Sequence, residues 1–207
     1  MFDYQEELEQ RIRGFHKHLA LMHDRAHNEA QGPCFLIFEE RRGEDTNTDH
    51  LVEVKESVLE RVSQAFEGLG YSGSGGLDEA ELINLPTEGW KEDNSQNRFI
   101  QFSFENKFFC MDMPRQTLFR PEAEQILRDR SGFFYLDERK QFQLYGEDVE
   151  GFDPFRKAYA YGDEESAAAD TAFIFHQVWK FPIDWTFYVR SALFGGKHRW
   201  EKGVPVE

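Results

Sequence analysis

Four of the seven histidines lie within twelve residues, in the stretch "HKHLALMHDRAH" that runs from His16 to His27. If this stretch is helical, His16, His23 and His27 share one flank of its apolar stripe, whereas His18 lies on the opposite flank. His23 and His27 also have the four-residue spacing with which histidines on a helix bind zinc. One hypothesis is therefore a divalent transition-metal site on His16, His23 and His27, completed by a carboxylate from elsewhere in the chain.

Two features of the same stretch weigh against a metal. Asp24 directly follows His23, where a zincin has Glu, and no further ligand motif appears nearby. Polar residues beside an apolar stripe are also the ordinary composition at the boundary of an amphipathic helix. We therefore expect no cofactor, and a metal-dependent hydrolase built on the three histidines is the alternative function.

Two clusters near the C-terminus combine aromatic and polar residues, "HQVWKFPIDW" at 176–185 and "GGKHRW" at 195–200. Trp and Arg are enriched at the energetic centres of protein interfaces, which makes both clusters candidates for a binding patch. The first cluster also suits packing against an aromatic sheet, whereas the second follows paired glycines and is less easily explained as core. The candidate patch consists of His176, Trp179, Trp185, His198, Arg199 and Trp200.

Other motifs indicate little chemistry. The stretch "GLGYSG" at 68–73 matches the dinucleotide pattern GxGxxG, but it follows a predicted helix instead of a strand. No serine lies in a GxSxG motif. Cys34 and Cys110 lie within apolar runs, where a thiol is more often a small buried hydrophobe than a nucleophile. Nucleotide binding and nucleophilic catalysis are therefore disfavoured.

The charge balance indicates the kind of partner. Acids number 39 against 24 bases, a net charge of −15, which disfavours nucleic acid and anionic membrane as partners. No apolar run reaches the roughly 20 residues that span a bilayer, and acids occupy the N-terminus, where a secretory signal has bases. We therefore predict a soluble cytoplasmic protein without enzymatic activity that binds a basic protein partner, as an inhibitor, an immunity-type protein or an adaptor.

Apolar periodicity predicts the elements that position these residues. The first element is a long amphipathic helix, followed by a strand at "CFLIFEE" and a helix over 54–69. A hairpin follows at "RFIQFSF" and "KFFCMDM", then a helix with Pro121 at its first position and Gly132 after its end. A later helix has Asp163 at its N-cap and ends before Pro182. The apolar stripe of the first helix consists of Leu8, Ile12, Phe15, Leu19, Met22 and Ala26.

Three further elements are predicted from weaker patterns. The stretch "FFYLDERKQFQLY" predicts a second hairpin with "DERK" as its turn, and "LDEAELINLP" predicts a short helix. The segment 184–194 fits a helix, although its β-branched and aromatic residues also suit a strand, and we predict the helix. With 21 Phe in the chain, these elements predict an α+β fold. A long N-terminal amphipathic helix and further helices pack on one face of an antiparallel, Phe-rich sheet. We expect a single domain over 1–207, with a division into 1–90 and 98–207 as the alternative.

Overall fold

A computed structural model describes residues 3–27, 34–40, 56–70, 85–92, 97–105, 107–135, 142–149, 154–193 and 204–206. Within these residues the helices are α1 (Tyr4–His27), α2 (Glu56–Gly68), α3 (Arg120–Asp129) and α4 (Glu164–Phe173), which continues into a π-helical turn at Ile174–Val178. The strands are β1 (Cys34–Glu40), β2 (Phe99–Phe104), β3 (Phe108–Pro114), β4 (Phe133–Tyr135), β5 (Phe142–Leu144), β6 (Glu147–Val149), β7 (Pro154–Ala160), β8 (Phe187–Leu193) and β9 (Val204–Pro205).

Seven of the strands form one antiparallel sheet, in the order β4-β7-β3-β2-β1-β8-β9, and β5 and β6 form a separate pair. The hairpin that the sequence predicts at β2 and β3 is confirmed, with Phe104 opposite Phe109. Helices pack against one face of the sheet and bury the phenylalanines of that face, which confirms the predicted α+β fold. In the described part of the chain, no helix combines the length and the apolar character that crossing a membrane requires.

Helix α1 forms where the apolar stripe predicts it. The Asp3 carboxylate accepts a hydrogen bond of 3.0 Å from the Gln5 backbone N–H, which satisfies a donor at the start of the helix. The stripe faces inward, and Leu8, Phe15 and Leu19 are fully buried. Burying each such side chain contributes roughly 1.5–3 kcal/mol, so packing more than helix propensity holds this element in place.

One face of the sheet, the inner face, contacts the helices and carries the aromatic core. Because side chains alternate along a strand, every second residue of each strand points toward α1 and α4. Rings from neighbouring strands contact each other there, such as Phe104 and Phe109 with centroids 5.4 Å apart and Phe109 and Tyr159 at 5.2 Å. The fully buried phenylalanines of the inner face are Phe38, Phe102, Phe104, Phe109, Phe133, Phe155 and Phe187.

The opposite, outer face of the sheet combines apolar residues with ion pairs. Phe108 and Cys110 are buried in one small apolar cluster of this face. Beside them, the Arg156 guanidinium donates two hydrogen bonds to the Asp112 carboxylate, of 2.5 Å and 2.9 Å. Both residues of this pair are buried, on the adjacent strands β3 and β7. The outer face is therefore not a simple solvated surface.

The helix predicted over 184–194 is wrong, because this segment contains strand β8. All seven residues of β8 pair with β1, from Phe187 opposite Glu40 to Leu193 opposite Cys34. Its β-branched and aromatic residues suit a helix and a strand, and the unpaired edge that β1 would otherwise have favours the strand. Pairing with β8 satisfies backbone groups of β1 that would otherwise be buried without partners.

The predicted hairpin at "FFYLDERKQFQLY" is also wrong. Strand β4 pairs with β7, which places Phe133 opposite Lys157, and β5 pairs with β6. The turn between β5 and β6 contains Tyr145 and Gly146 with φ of 50° and 83°, the positive values that a tight two-residue hairpin requires. The predicted short helix at 77–86 and the "DERK" turn lie outside the described residues, apart from Leu85 and Pro86.

Candidate functional site

The histidines of α1 lie on a continuous helix that separates them along its axis. His16 and His23 are both half-buried and seven residues apart, which corresponds to about 10.5 Å along the helix axis. His27 is the last residue of α1, one turn beyond His23, and its side chain lies outside the described part of the structure. Of the two predicted ligands whose side chains the structure describes, His23 is the one that contacts a carboxylate from another element.

A carboxylate from a distant part of the sequence contacts His23. The Nδ1 atom of His23 lies 2.6 Å from Oε1 of Glu164, the first residue of α4. Glu164 is buried, and the same Oε1 accepts a hydrogen bond of 3.2 Å from the Gly162 backbone N–H. The His23 ring also stacks on the Tyr161 ring, with centroids 4.5 Å apart. These contacts join the end of α1 to the start of α4.

The local sequence explains how Glu164 reaches this position. Gly162 has φ of +106°, a value that L-residues rarely adopt, and it turns the chain from β7 into α4. Asp163 occupies the predicted N-cap position, but its side chain makes no capping hydrogen bond. Three small buried residues then allow α1 and α4 to pack closely, namely Ala167, Ala168 and Ala169.

Further acids neighbour the residues of this contact, either in the chain or through a hydrogen bond, and we call the group Asp24, Glu105, Asp163 and Glu165 the acidic corner. Asp24 adjoins His23, whereas Asp163 and Glu165 flank Glu164, and the side chains of all three are exposed. Glu105 is close as well, because the Tyr161 hydroxyl donates a hydrogen bond to its carbonyl oxygen. Burial, then Cys34 and the carboxylates of Glu105 and Glu164, raise the pKa of Tyr161.

The described residues contain no group of three or more His, Cys, Asp or Glu side chains that could hold a metal ion. This result covers His23 and Glu164, but not the side chain of His27. The metal site on His16, His23 and His27, and the hydrolase that would use it, therefore stay predictions.

The first aromatic-polar cluster lies in the core. His176 is buried on the π-helical turn and Trp179 is buried directly after it, whereas Trp185 is half-buried in the loop that follows. The Arg98 guanidinium carbon lies 5.3 Å from the centre of the Trp179 ring, and the His176 ring lies 5.6 Å from that of Phe187. His198, Arg199 and Trp200 lie outside the described residues. The binding patch that joins the two clusters therefore stays a prediction.

The two cysteines occupy environments that disfavour a reactive thiolate. Both thiols are buried and free of disulfides. Burial raises the pKa of Cys34 to about 11, against a smaller opposite effect of Arg25. Burial also raises the pKa of Cys110, against a smaller opposite effect of Arg156. A buried neutral thiol is a packing group, as the apolar runs around both cysteines predict.

Sequence reasoning missed the buried charges. The Asp170 carboxylate accepts hydrogen bonds of 2.6 Å from Lys157 and 2.9 Å from the Tyr159 hydroxyl. Asp112 could have been found, because a lone acid within the apolar strand "FFCMDMP" requires a buried partner. Across the described residues, the buried acids equal the buried bases in number. The acids are Glu40, Asp112, Glu164 and Asp170, and the bases are Lys91, Arg98, Arg130 and Arg156.

Comparison of the chain with protein-family models, with curated proteins and with solved structures finds no match.

We expect Glu164→Ala to lower the free energy of unfolding by about 1–3 kcal/mol, because it removes a buried carboxylate that accepts hydrogen bonds from the Gly162 N–H and from His23 Nδ1. Urea denaturation followed by circular dichroism measures the change. The matched control is Glu165→Ala, which removes an exposed carboxylate from the same helical turn and should cost less than about 0.5 kcal/mol. Equal effects of the two substitutions would contradict a structural role for the His23–Glu164 contact.

Proposed function

We propose that this chain is an acidic, non-enzymatic binding protein of the cytoplasm that engages a basic protein partner through the acidic corner. The observation that carries this proposal is the distribution of charge. Four acids and four bases are buried among the described residues, so the buried set is neutral. The whole net charge of −15 is consequently carried by the other residues. A field of one sign on the surface accelerates association with a partner of the opposite sign.

The acidic corner supports this proposal because it lies on well-packed elements. Asp163 and Glu165 lie at the start of α4, whose next turn is fully buried at Ala167 and Ala168. Asp24 lies on the last turns of α1, and the His23–Glu164 contact joins the two helices. Charges on a rigid scaffold lose little conformational freedom when a partner binds, which favours their use in recognition. Inhibitors, immunity-type proteins and adaptors all meet this description.

A capture experiment with matched variants tests the proposal. The corner variant is Asp24→Asn/Asp163→Asn/Glu165→Gln, and the control variant is Glu60→Gln/Glu67→Gln/Glu88→Gln. All six residues are exposed, and each variant removes three of the negative charges. The wild type and both variants are immobilised and exposed to the same cell extract at about 0.05 M and about 0.3 M salt.

We expect a basic protein to be retained at low salt by the wild type and by the control variant, and to be lost from the corner variant. Higher salt should release it from all three, because exposed charge pairs are screened. Retention of no basic protein by the wild type would contradict the proposed function. Equal retention by the two variants would leave an acidic binding protein but would contradict the corner as its contact.

A further inference from the structure

The π-helical turn that follows α4 places a histidine in the core. A π-helical turn is rare, and such turns occur often at functional sites. His176 lies in the middle of this turn and is 1% exposed. Its Nδ1 lies 3.0 Å from the carbonyl oxygen of Phe181, which requires that Nδ1 carries the proton and donates it. The imidazole therefore fastens the turn to the loop that leads into β8.

The other ring nitrogen, Nε2, has no hydrogen-bond acceptor among the described residues that could stabilise a second proton. Nε2 of His176 is buried and makes no hydrogen bond to any described residue. In the neutral ring this atom is only an unused acceptor, whereas in the imidazolium it becomes an N–H donor. The Phe187 ring of β8 packs on the imidazole and offers no acceptor. A proton on Nε2 would therefore be buried without a hydrogen bond from this N–H to any described residue.

The charged groups around His176 come from α1 and from the loop after the π-helical turn. Arg11 of α1 disfavours the imidazolium, and Asp184 of the loop favours it. Arg11 is held in place, because its Nε donates a hydrogen bond of 2.8 Å to the Ile183 carbonyl oxygen. Burial is the largest influence and lowers the pKa of His176 to about 4.

We propose that His176 is an acid-sensitive latch for the segment from the π-helical turn to β8. The neutral imidazole keeps this segment packed on α1, and protonation of the imidazole releases the segment. Release moves the imidazole into water and separates the turn from the Phe181 carbonyl. It also exposes Trp179 and Trp185, whose rings pack on Phe175 and Phe181 in the closed state. This device goes beyond the proposed binding function and does not depend on it.

The direction of the pH effect follows from the lowered pKa. An unfolded or released chain binds the proton near the ordinary histidine value of about 6.5, whereas the closed state binds it only near pH 4. The closed state is therefore fully favoured above about pH 6.5. That advantage is lost progressively as the pH falls toward about 4.

Tryptophan fluorescence and far-ultraviolet circular dichroism, recorded on the same samples between pH 7 and pH 3.5, test the latch. We expect the wild-type emission to shift to longer wavelength with a midpoint at about pH 4–5, while most of the circular dichroism signal is retained. His176→Gln is uncharged at every pH, so it should lack this separate transition. His16→Gln, which removes a half-buried histidine of α1, should keep it.

Two outcomes would overturn the proposal. One is an identical fluorescence transition in the wild type and in His176→Gln. The other is a fluorescence shift that coincides with loss of the circular dichroism signal in the wild type, which indicates global acid unfolding.

If His176→Gln does not fold, the imidazole and indole signals of the wild type are titrated by nuclear magnetic resonance. The latch requires that His176 stays neutral at pH 5.5 and that the Trp179 and Trp185 indole signals move with its protonation. Titration near pH 6.5, or unmoved indole signals, would contradict it.

Discussion

We expect Asp112→Ala to lower the free energy of unfolding by about 3–5 kcal/mol, because it leaves the Arg156 guanidinium buried without its counter-charge. Asp112 is 1% exposed and Arg156 is 5% exposed. Burial alone lowers the pKa of Arg156, but the adjacent Asp112 carboxylate raises it above the ordinary value. The substitution removes this carboxylate, but a guanidinium stays protonated in proteins even when it is buried, so deprotonation cannot relieve the unpaired charge. Urea denaturation at neutral pH measures the loss.

A double substitution separates the value of the ion pair from the cost of breaking it. Asp112→Leu/Arg156→Met removes both charges and keeps similar volumes, and we expect its stability to lie within about 1–2 kcal/mol of the wild type. The exposed pair of Arg13 and Glu9 provides the control, because Arg13→Ala should cost less than about 1 kcal/mol. A loss under about 1 kcal/mol for Asp112→Ala would show that water reaches Arg156, which would contradict the burial of this side chain.

The second large effect is expected at Phe15, where alanine should lower the free energy of unfolding by about 3–5 kcal/mol. This ring is fully buried, and it contacts three different elements beyond its own helix. Its centroid lies 4.9 Å from that of Phe38 in β1, 5.7 Å from Phe187 in β8 and 5.9 Å from Phe175 in the π-helical turn. The substitution therefore opens a cavity where α1 meets the sheet and the turn.

Leu21 is the matched control for Phe15. It lies on the same helix, and 48% of it is exposed. Leu21→Ala should change the free energy of unfolding by less than about 0.5 kcal/mol, since it removes few buried contacts and alanine favours a helix. Thermal denaturation of both variants and the wild type provides the comparison. Similar losses at Phe15 and Leu21 would contradict the placement of the apolar stripe in the core.

The sequence predicts the fold where local pattern and tertiary packing agree. The periodicity of α1 matches the buried face that the structure shows, and β2 and β3 form a hairpin from two apolar runs that are close in sequence, so these elements are predicted correctly. In contrast, the segment of β8 has residues that suit a helix and a strand equally, and its pairing with β1 makes it a strand. Strand β4 likewise pairs with β7 rather than with its neighbour in sequence. Distant strand partners cannot be identified from local spacing.

The candidate site was predictable only in part. The spacing of the histidines predicts that His23 is a candidate site residue. The residue that it contacts, Glu164, lies 141 residues further along the chain, and the packing of α1 on α4 brings the two together. An acid at the start of α4 is favourable near the helix dipole, which alone gives no reason to expect a contact with His23. Its hydrogen bond with Gly162 depends on the turn out of β7, which follows from the tertiary fold.

The most direct test of the central claim is the dissociation constant of the captured basic partner for the wild type, the corner variant and the control variant. At about 0.05 M salt we predict at least a tenfold weaker affinity for the corner variant, and an affinity within about threefold of the wild type for the control variant. Wild-type affinity should also fall at least tenfold by about 0.3 M salt. Equal affinities of the corner variant and the wild type, or an affinity that salt does not change, would contradict recognition through the acidic corner.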